Sequence, residues 1–136
     1  MEEELITLQT AKLAKEKGFD VRCEKAYFET GRHILETIRD GEITFPYKPP
    51  RILKRNYGDE FTIFIAEAPT QSLLQKWLRE EYNIIVLVDY EGIDGYYYKF
   101  YSYKEGNKNY DASYKNYNTY EQALEVGLQE GLKLIK

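Results

Sequence analysis

The residue types that most often carry chemistry or bracing are scarce in this 136-residue chain, which has one cysteine, one histidine, one methionine and one tryptophan. A lone cysteine, Cys23, excludes an internal disulfide, and a lone histidine, His33, excludes a His–His metal pair within one chain. The longest apolar run, Ile84 to Val88, is five residues, far below the roughly 20 that a membrane-crossing helix needs. A basic excess is also missing. Residues 1–68 carry 11 Lys/Arg against 13 Asp/Glu and residues 69–136 carry 8 against 10, for a net charge of −4, so no general field for polyanions exists. The acidic start, Met-Glu-Glu-Glu, is unlike the positively charged head of a signal peptide, and a soluble cytoplasmic protein is expected.

Tyrosine is what the chain has in excess. Of 14 tyrosines, ten fall between Tyr90 and Tyr120, and tyrosine suits a pleated surface with one apolar and one wet side. The length fits one domain able to bury most of its unfolded surface, with an N-terminal helix and hairpin region (1–67) leading into a helix-sheet-helix core (68–136).

In chain order, Thr7 caps a helix running to Lys17, and Gly18 ends it with Phe19 folding back on Leu13 or Ala14. Leu8, Ala11 and Ala14 face inward, while Lys12, Lys15, Glu16 and Lys17 form a solvated face. A strand is expected from Arg22 to Phe28, a turn at Glu29 to Arg32, and a second strand from His33 to Ile38. Asp40-Gly41 signals a hairpin into Ile43 to Phe45, and Pro46, Pro49 and Pro50 make residues 46–50 loop or sheet edge. Phe61 to Ile65 is a further strand.

Pro69, with the hydroxyls of Thr70 and Ser72 near the free amides, starts a central helix with Leu73, Leu74, Trp77 and Leu78 on its buried face, Gln71, Gln75, Arg79 and Glu80 opposite, and Asn83 as its stop. Ile84 to Val88 has no polar face, which suits a strand covered on both sides or central in a sheet. Tyr96 to Tyr103 alternates, with Tyr96, Tyr98 and Phe100 on one face and Tyr97, Lys99, Tyr101 and Tyr103 on the other, where the lysine marks the outward side. A strand near Asn109 to Lys115 follows. Thr119 with Gln122 makes a capping box for a last helix whose inward stripe runs Tyr120, Ala123, Leu124, Gly127, Leu128, Gly131, Leu132 and Ile135. Its row of small residues lets that helix lie close on the sheet. The fold class is therefore α+β, with a mainly antiparallel sheet, an N-terminal, a central and a C-terminal helix, and helix-strand-strand-strand-helix order in the C-terminal half.

The chemical inventory is thin. His33 has no partner nearby in sequence, Cys23 reads as a small buried hydrophobe, and Asp89, Glu91 and Asp94 fail the spacing of a calcium loop and read as a hydrated turn. No catalytic residue, metal site or cofactor is assigned. Two surfaces remain. Tyr97, Lys99, Tyr101 and Tyr103 could offer an amphipathic patch to a protein partner or a second copy, and Lys48, Arg51, Lys54 and Arg55, the chain's basic cluster, could contact an anion or nucleic acid. A non-enzymatic binding or accessory protein is expected. A nucleic-acid-binding module and a small enzyme or ligand sequestrant are the alternatives, with nucleic acid less favoured by charge and no membrane partner.

From Thr70 to Lys136 the order of elements resembles a double-stranded-RNA-binding domain in topology. That family grips phosphates with lysines at the start of its last helix, where this chain has Thr119-Tyr120-Glu121-Gln122. The blocks LQTAKLAKEKGFD (Leu8 to Asp20), APTQSLLQKWLREEYNI (Ala68 to Ile84) and TYEQALEVGLQEGLKLI (Thr119 to Ile135) resemble a family of small proteins from Bacteroides-type bacteria and their phages or prophages. The resemblance implies a mobile-element context and no assigned activity.

Overall fold

The computed structural model describes residues 3–30, 34–38, 52–54, 61–104, 107–113 and 115–135. The chain is α+β, and its contacts divide it into two compact units, one of residues 7–69 and one of residues 1–6 with 70–136.

In the first unit, α1 (Leu8–Glu16) begins where Thr7 Oγ1 accepts the Thr10 N–H, and it ends as its glycine requires. Gly18 has φ +98°, and Phe19 N–H reaches back to Ala14 O at 2.9 Å, so the chain reverses and the Phe19 ring is buried. Strands β1 (Lys25–Thr30), β2 (Ile34–Ile38), β3 (Ile52–Lys54) and β4 (Phe61–Glu67) form an antiparallel sheet in the order β2-β1-β4-β3. Ala26, Phe28 and Phe64 cluster at its centre, with the two rings edge to face at 5.8 Å. Lys15 is not simply solvated: it donates to Ile65 O at 2.9 Å and lies 5.4 Å from the Phe64 ring centre, tying α1 to β4.

The first strand begins later than its composition suggests, at Lys25 rather than Arg22. The Cys23 N–H goes instead to the buried Glu67 carboxylate at 2.9 Å, which takes that amide out of any ladder. Cys23 is itself buried. The strand also continues through Glu29 and Thr30, which pair with β4, so these two residues are not part of the turn. His33, the Asp40-Gly41 hairpin, Ile43 to Phe45 and residues 46–50 lie outside the described residues.

In the second unit, α2 (Gln71–Tyr82) is capped by Thr70, whose Oγ1 accepts the Leu73 N–H at 3.2 Å, and it stops at Asn83 in the left-handed conformation, φ 56°. Leu74 and Leu78 are fully buried, each stabilising by about 1.5–3 kcal/mol. Trp77, expected in the core, is only half-buried and meets Tyr82 edge to face at 5.1 Å. Gln71, expected outside, is buried: its Nε2 donates to Glu121 O at 2.9 Å and to Glu125 Oε1 at 3.0 Å. The position tolerates an amide because the neighbouring helix supplies both acceptors.

Strands β5 (Ile84–Tyr90), β6 (Tyr96–Lys104) and β7 (Asn107–Ala112) form an antiparallel meander in that order, and α3 (Tyr120–Lys133) lies across one face of it. The stripe of α3 is buried from Ala123 to Ile135, but Tyr120 at its start is exposed. A Cβ placed on Gly127 would stand 2.9 Å from Tyr98 Cβ and 2.9 Å from Val86 Cγ1, so the helix approaches the sheet as closely as only glycine allows. The order α2-β5-β6-β7-α3 is the one read from the sequence.

The Ile84 to Val88 strand is not covered on both sides, and among the described residues β5 is an edge strand rather than a central one, with Ile84 and Val86 buried while Leu87 stays 37% exposed. Its unbroken apolar run serves a core on one side and an apolar open surface on the other.

Candidate functional site: the open face of the three-stranded sheet

Residues on a strand alternate between faces, and register decides which alternants of neighbouring strands stand side by side. Ile85 lies opposite Tyr101, Leu87 opposite Lys99 and Asp89 opposite Tyr97. On the other flank Tyr103 pairs with Lys108, Tyr101 with Tyr110 and Lys99 with Ala112. Gly127 and Gly131 of α3 meet Ile84, Val86 and Tyr98, which belong to the other set of alternants. The face opposite α3 therefore carries Ile85, Leu87 and Asp89 from β5, the expected Tyr97, Lys99, Tyr101 and Tyr103 from β6, and Lys108, Tyr110 and Ala112 from β7. The alternation read from sequence along β6 holds, and all four of its residues share this face.

The centre of the face is aromatic and its charges are arranged unevenly. Tyr101 and Tyr110 are a non-hydrogen-bonded cross-strand pair, the closer kind, and their ring centres lie 5.1 Å apart. Lys108 Nζ sits 4.7 Å above the Tyr101 ring, a cation–π contact. Lys99 is engaged in a different way: its Nζ is 3.2 Å from Asp89 Oδ2, toward which the Tyr97 hydroxyl also points at 3.5 Å. Asp89 Oδ1 accepts the Tyr90 N–H at 2.8 Å.

These bonds set the protonation behaviour. The Tyr90 amide first, and then Lys99, holds the Asp89 carboxyl below the usual carboxylate range. The bond to Asp89 raises Lys99 above the ordinary lysine value. Partial desolvation, followed by the Asp89 charge, pushes the Tyr97 phenol up. The face thus presents phenol rings, the Asp89–Lys99 ion pair, and Lys108, which has no carboxylate partner among the described residues. Tyr103 is 49% and Tyr110 57% exposed.

The second expected surface is not assembled by the described residues. Lys48, Arg51 and Arg55 lie outside them, and Lys54 ends β3, where its backbone pairs with Phe61. Of the carboxylates Asp89, Glu91 and Asp94, Asp89 turns to Lys99, while Glu91 accepts from Asn116 Nδ2 at 3.1 Å. Sequence reasoning missed six members of the open face, namely Ile85, Leu87, Asp89, Ala112, Lys108 and Tyr110. The first two were assigned to the core because nothing in a wholly apolar run marks which alternants are covered, and the last two could be found only from the β6–β7 register.

Among the described residues no helix is long and apolar enough to cross a membrane. No protein-family model, curated protein or solved structure matches this chain.

Proposed function

We propose that the protein is a non-enzymatic binding protein that uses the open sheet face to hold another protein. The supporting observation is the contrast between the two faces of one sheet. One is sealed by α3, while the other sets Ile85, Leu87, Tyr97, Tyr101, Tyr103 and Tyr110 side by side with little charge to keep water on them. Rigid aromatic side chains anchor contacts at low entropic cost.

The chemistry of the face describes its partner. Among the described residues Lys108 is the cation of this face left without a carboxylate, so the partner surface is apolar where it meets Tyr101 and Tyr110 and brings an Asp or Glu to Lys108. Three strands about 4.8 Å apart, each offering some seven residues at about 3.3 Å, make a patch smaller than the ~800 Å² per partner of a stable complex. The contact belongs to the transient class. Base stacking on the same tyrosines has less support, because among the described residues Lys108 is the one lysine of this face that no carboxylate holds. The resemblance of the Leu8 to Asp20, Ala68 to Ile84 and Thr119 to Ile135 blocks adds a phage or prophage setting, which suits an accessory role.

The test is capture from extract of the source cell by immobilised wild type, by Leu87→Ser with Tyr101→Ser, and by Glu80→Lys as a control on α2. A protein retained by wild type and control, but lost from the face variant while its circular dichroism is unchanged, supports the reading. Equal retention by all three refutes it. Salt-sensitive retention on single-stranded DNA that is lost with the same tyrosine would replace it with a nucleic-acid role, and a concentration-dependent mass lost in the face variant would make the partner a second copy.

A further inference from the structure

We infer that the outer edge of β7 is a latent pairing edge for the β7 of a second copy, and that the Asp111 side chain holds it shut. The inference is independent of the face reading, because it concerns backbone groups. Ser113 N–H donates to Tyr98 O at 2.9 Å, and the ladder then runs Lys99 opposite Ala112, Tyr101 opposite Tyr110 and Tyr103 opposite Lys108. Antiparallel pairs alternate between hydrogen-bonded and non-bonded. The pairs containing Ala112, Tyr110 and Lys108 are the non-bonded kind, so the amide and carbonyl groups of these residues point away from β6. No strand lies beyond them among the described residues.

An exposed row of that kind is a template for another chain, and among the described residues it is interrupted at one place. The Ala112 N–H donates to the carboxylate of its own neighbour, Asp111 Oδ1, at 2.8 Å. The opposite edge of the sheet uses the same device and adds to it. Tyr90 N–H, which also points outward, donates to Asp89 Oδ1 at 2.8 Å, and the outward Val86 carbonyl accepts from Gln75 Nε2 at 2.6 Å. Two supports close the β5 edge, while the β7 edge depends on Asp111.

The register names the occupant. Two β7 strands set antiparallel about a two-fold axis at Tyr110 bring Tyr110 opposite Tyr110 and Lys108 opposite Ala112, and each such pair exchanges two backbone hydrogen bonds. By symmetry the Ala112 N–H donates once from each copy, and both of these bonds are blocked while Asp111 holds the amide. Nothing else in the register opposes pairing: Asp111 falls opposite Asn109 of the other copy, so like charges do not face each other, and the Tyr110 rings meet on the open face. Turning Asp111 away converts a three-stranded sheet into a continuous six-stranded one across two copies.

The experiment compares wild type, Asp111→Ala, Asp111→Asn and Asp111→Ala with Ala112→Pro by sedimentation velocity, with amide hydrogen exchange on the same samples. Asparagine keeps an acceptor for the Ala112 N–H, and proline at an outward position removes the donor without disturbing the β6 ladder. Freeing two hydrogen bonds per dimer should tighten self-association of Asp111→Ala on the order of 30-fold over wild type. Asp111→Asn should behave as wild type, the proline should reverse the gain, and the dimer should protect the Tyr110 and Ala112 amides. The inference is overturned if Asp111→Ala associates no more tightly than wild type up to millimolar concentration. Equal dimerisation of Asp111→Asn, or association that leaves the Tyr110 and Ala112 amides unprotected, overturns it too.

Discussion

Replacing Gly127 by alanine should destabilise the second unit, although a helix interior ordinarily gains from that exchange. The gain is about 1 kcal/mol of helix propensity. Against it stands the space on α3's sheet-facing side, where the new methyl would meet Tyr98 Cβ and Val86 Cγ1 at 2.9 Å each and Tyr98 Cγ at 3.1 Å. Neither neighbour can step aside by changing rotamer. Tyr98 Cβ is fixed to the backbone of the middle strand, and Val86 is branched at Cβ and stiff at χ1. The helix must lift, at the upper end of the 1–3 kcal/mol typical of overpacking, for a net loss of about 2 kcal/mol. Gly131 is the internal control. Its added methyl would meet Val86 Cγ2 at 3.1 Å and Ile84 Cγ2 and Leu78 Cδ1 at 3.4 Å, so cost and gain nearly cancel and Gly131→Ala should fall within about 0.5 kcal/mol of wild type. Trp77, the chain's one tryptophan, lies on α2 in the same unit and reports its unfolding in urea by fluorescence. A Gly127→Ala protein as stable as wild type, or shifted no more than Gly131→Ala, would refute the argument that this glycine sets the helix-to-sheet distance.

Gly95→Ala should cost more than Gly92→Ala. Gly95 has φ +98° and a Cβ there would run into the Tyr117 carbonyl, so a loss above about 2 kcal/mol is expected, with the Tyr96–Tyr117 bridge weakened in amide exchange; Gly92, at φ +63° with nothing within 4 Å, should lose about 1 kcal/mol. Gln71→Leu should cost about 1–2 kcal/mol in urea unfolding, because it strips the Glu121 carbonyl and the Glu125 carboxylate of a donor; a neutral result would mean that water replaces the amide freely. The Asp89 pKa is lowered from 3.8 by folding, so its contribution to stability is present above about pH 4 and disappears as pH falls through the lower folded value. The urea midpoint of wild type should therefore exceed that of Asp89→Asn at neutral pH and converge toward it below about pH 4; a constant gap would show that Asp89 acts without its charge.

Local signals in the chain were sufficient for the helices. Thr7, Thr70 and Thr119 each accept an N–H from the first turn of a helix, and Gly18 and Asn83 take the left-handed conformation that ends one, because capping depends on residues within a few positions of each other. Alternation along Tyr96 to Tyr103 likewise identified the outward half of β6. Burial was legible only where polarity varied. In Ile84 to Val88 every residue is apolar, so pattern alone could not tell a central strand from an edge strand. On α2 the polar Gln71 was placed outside because acceptors on a helix some 50 residues away leave no mark beside it.

What the sequence by itself determined is the α+β class, the helix limits, the order helix-strand-strand-strand-helix and the tyrosine face of β6, all consequences of contacts between near neighbours or of a simple period. Tertiary structure alone decided the membership of the candidate site. Ile85 and Leu87 join Tyr101 and Lys99, and Tyr110 and Lys108 join them from the other side, only through strand register, which a shift of one residue would have turned to the opposite face. The same register points Ala112 outward and gives Asp111 something to hold.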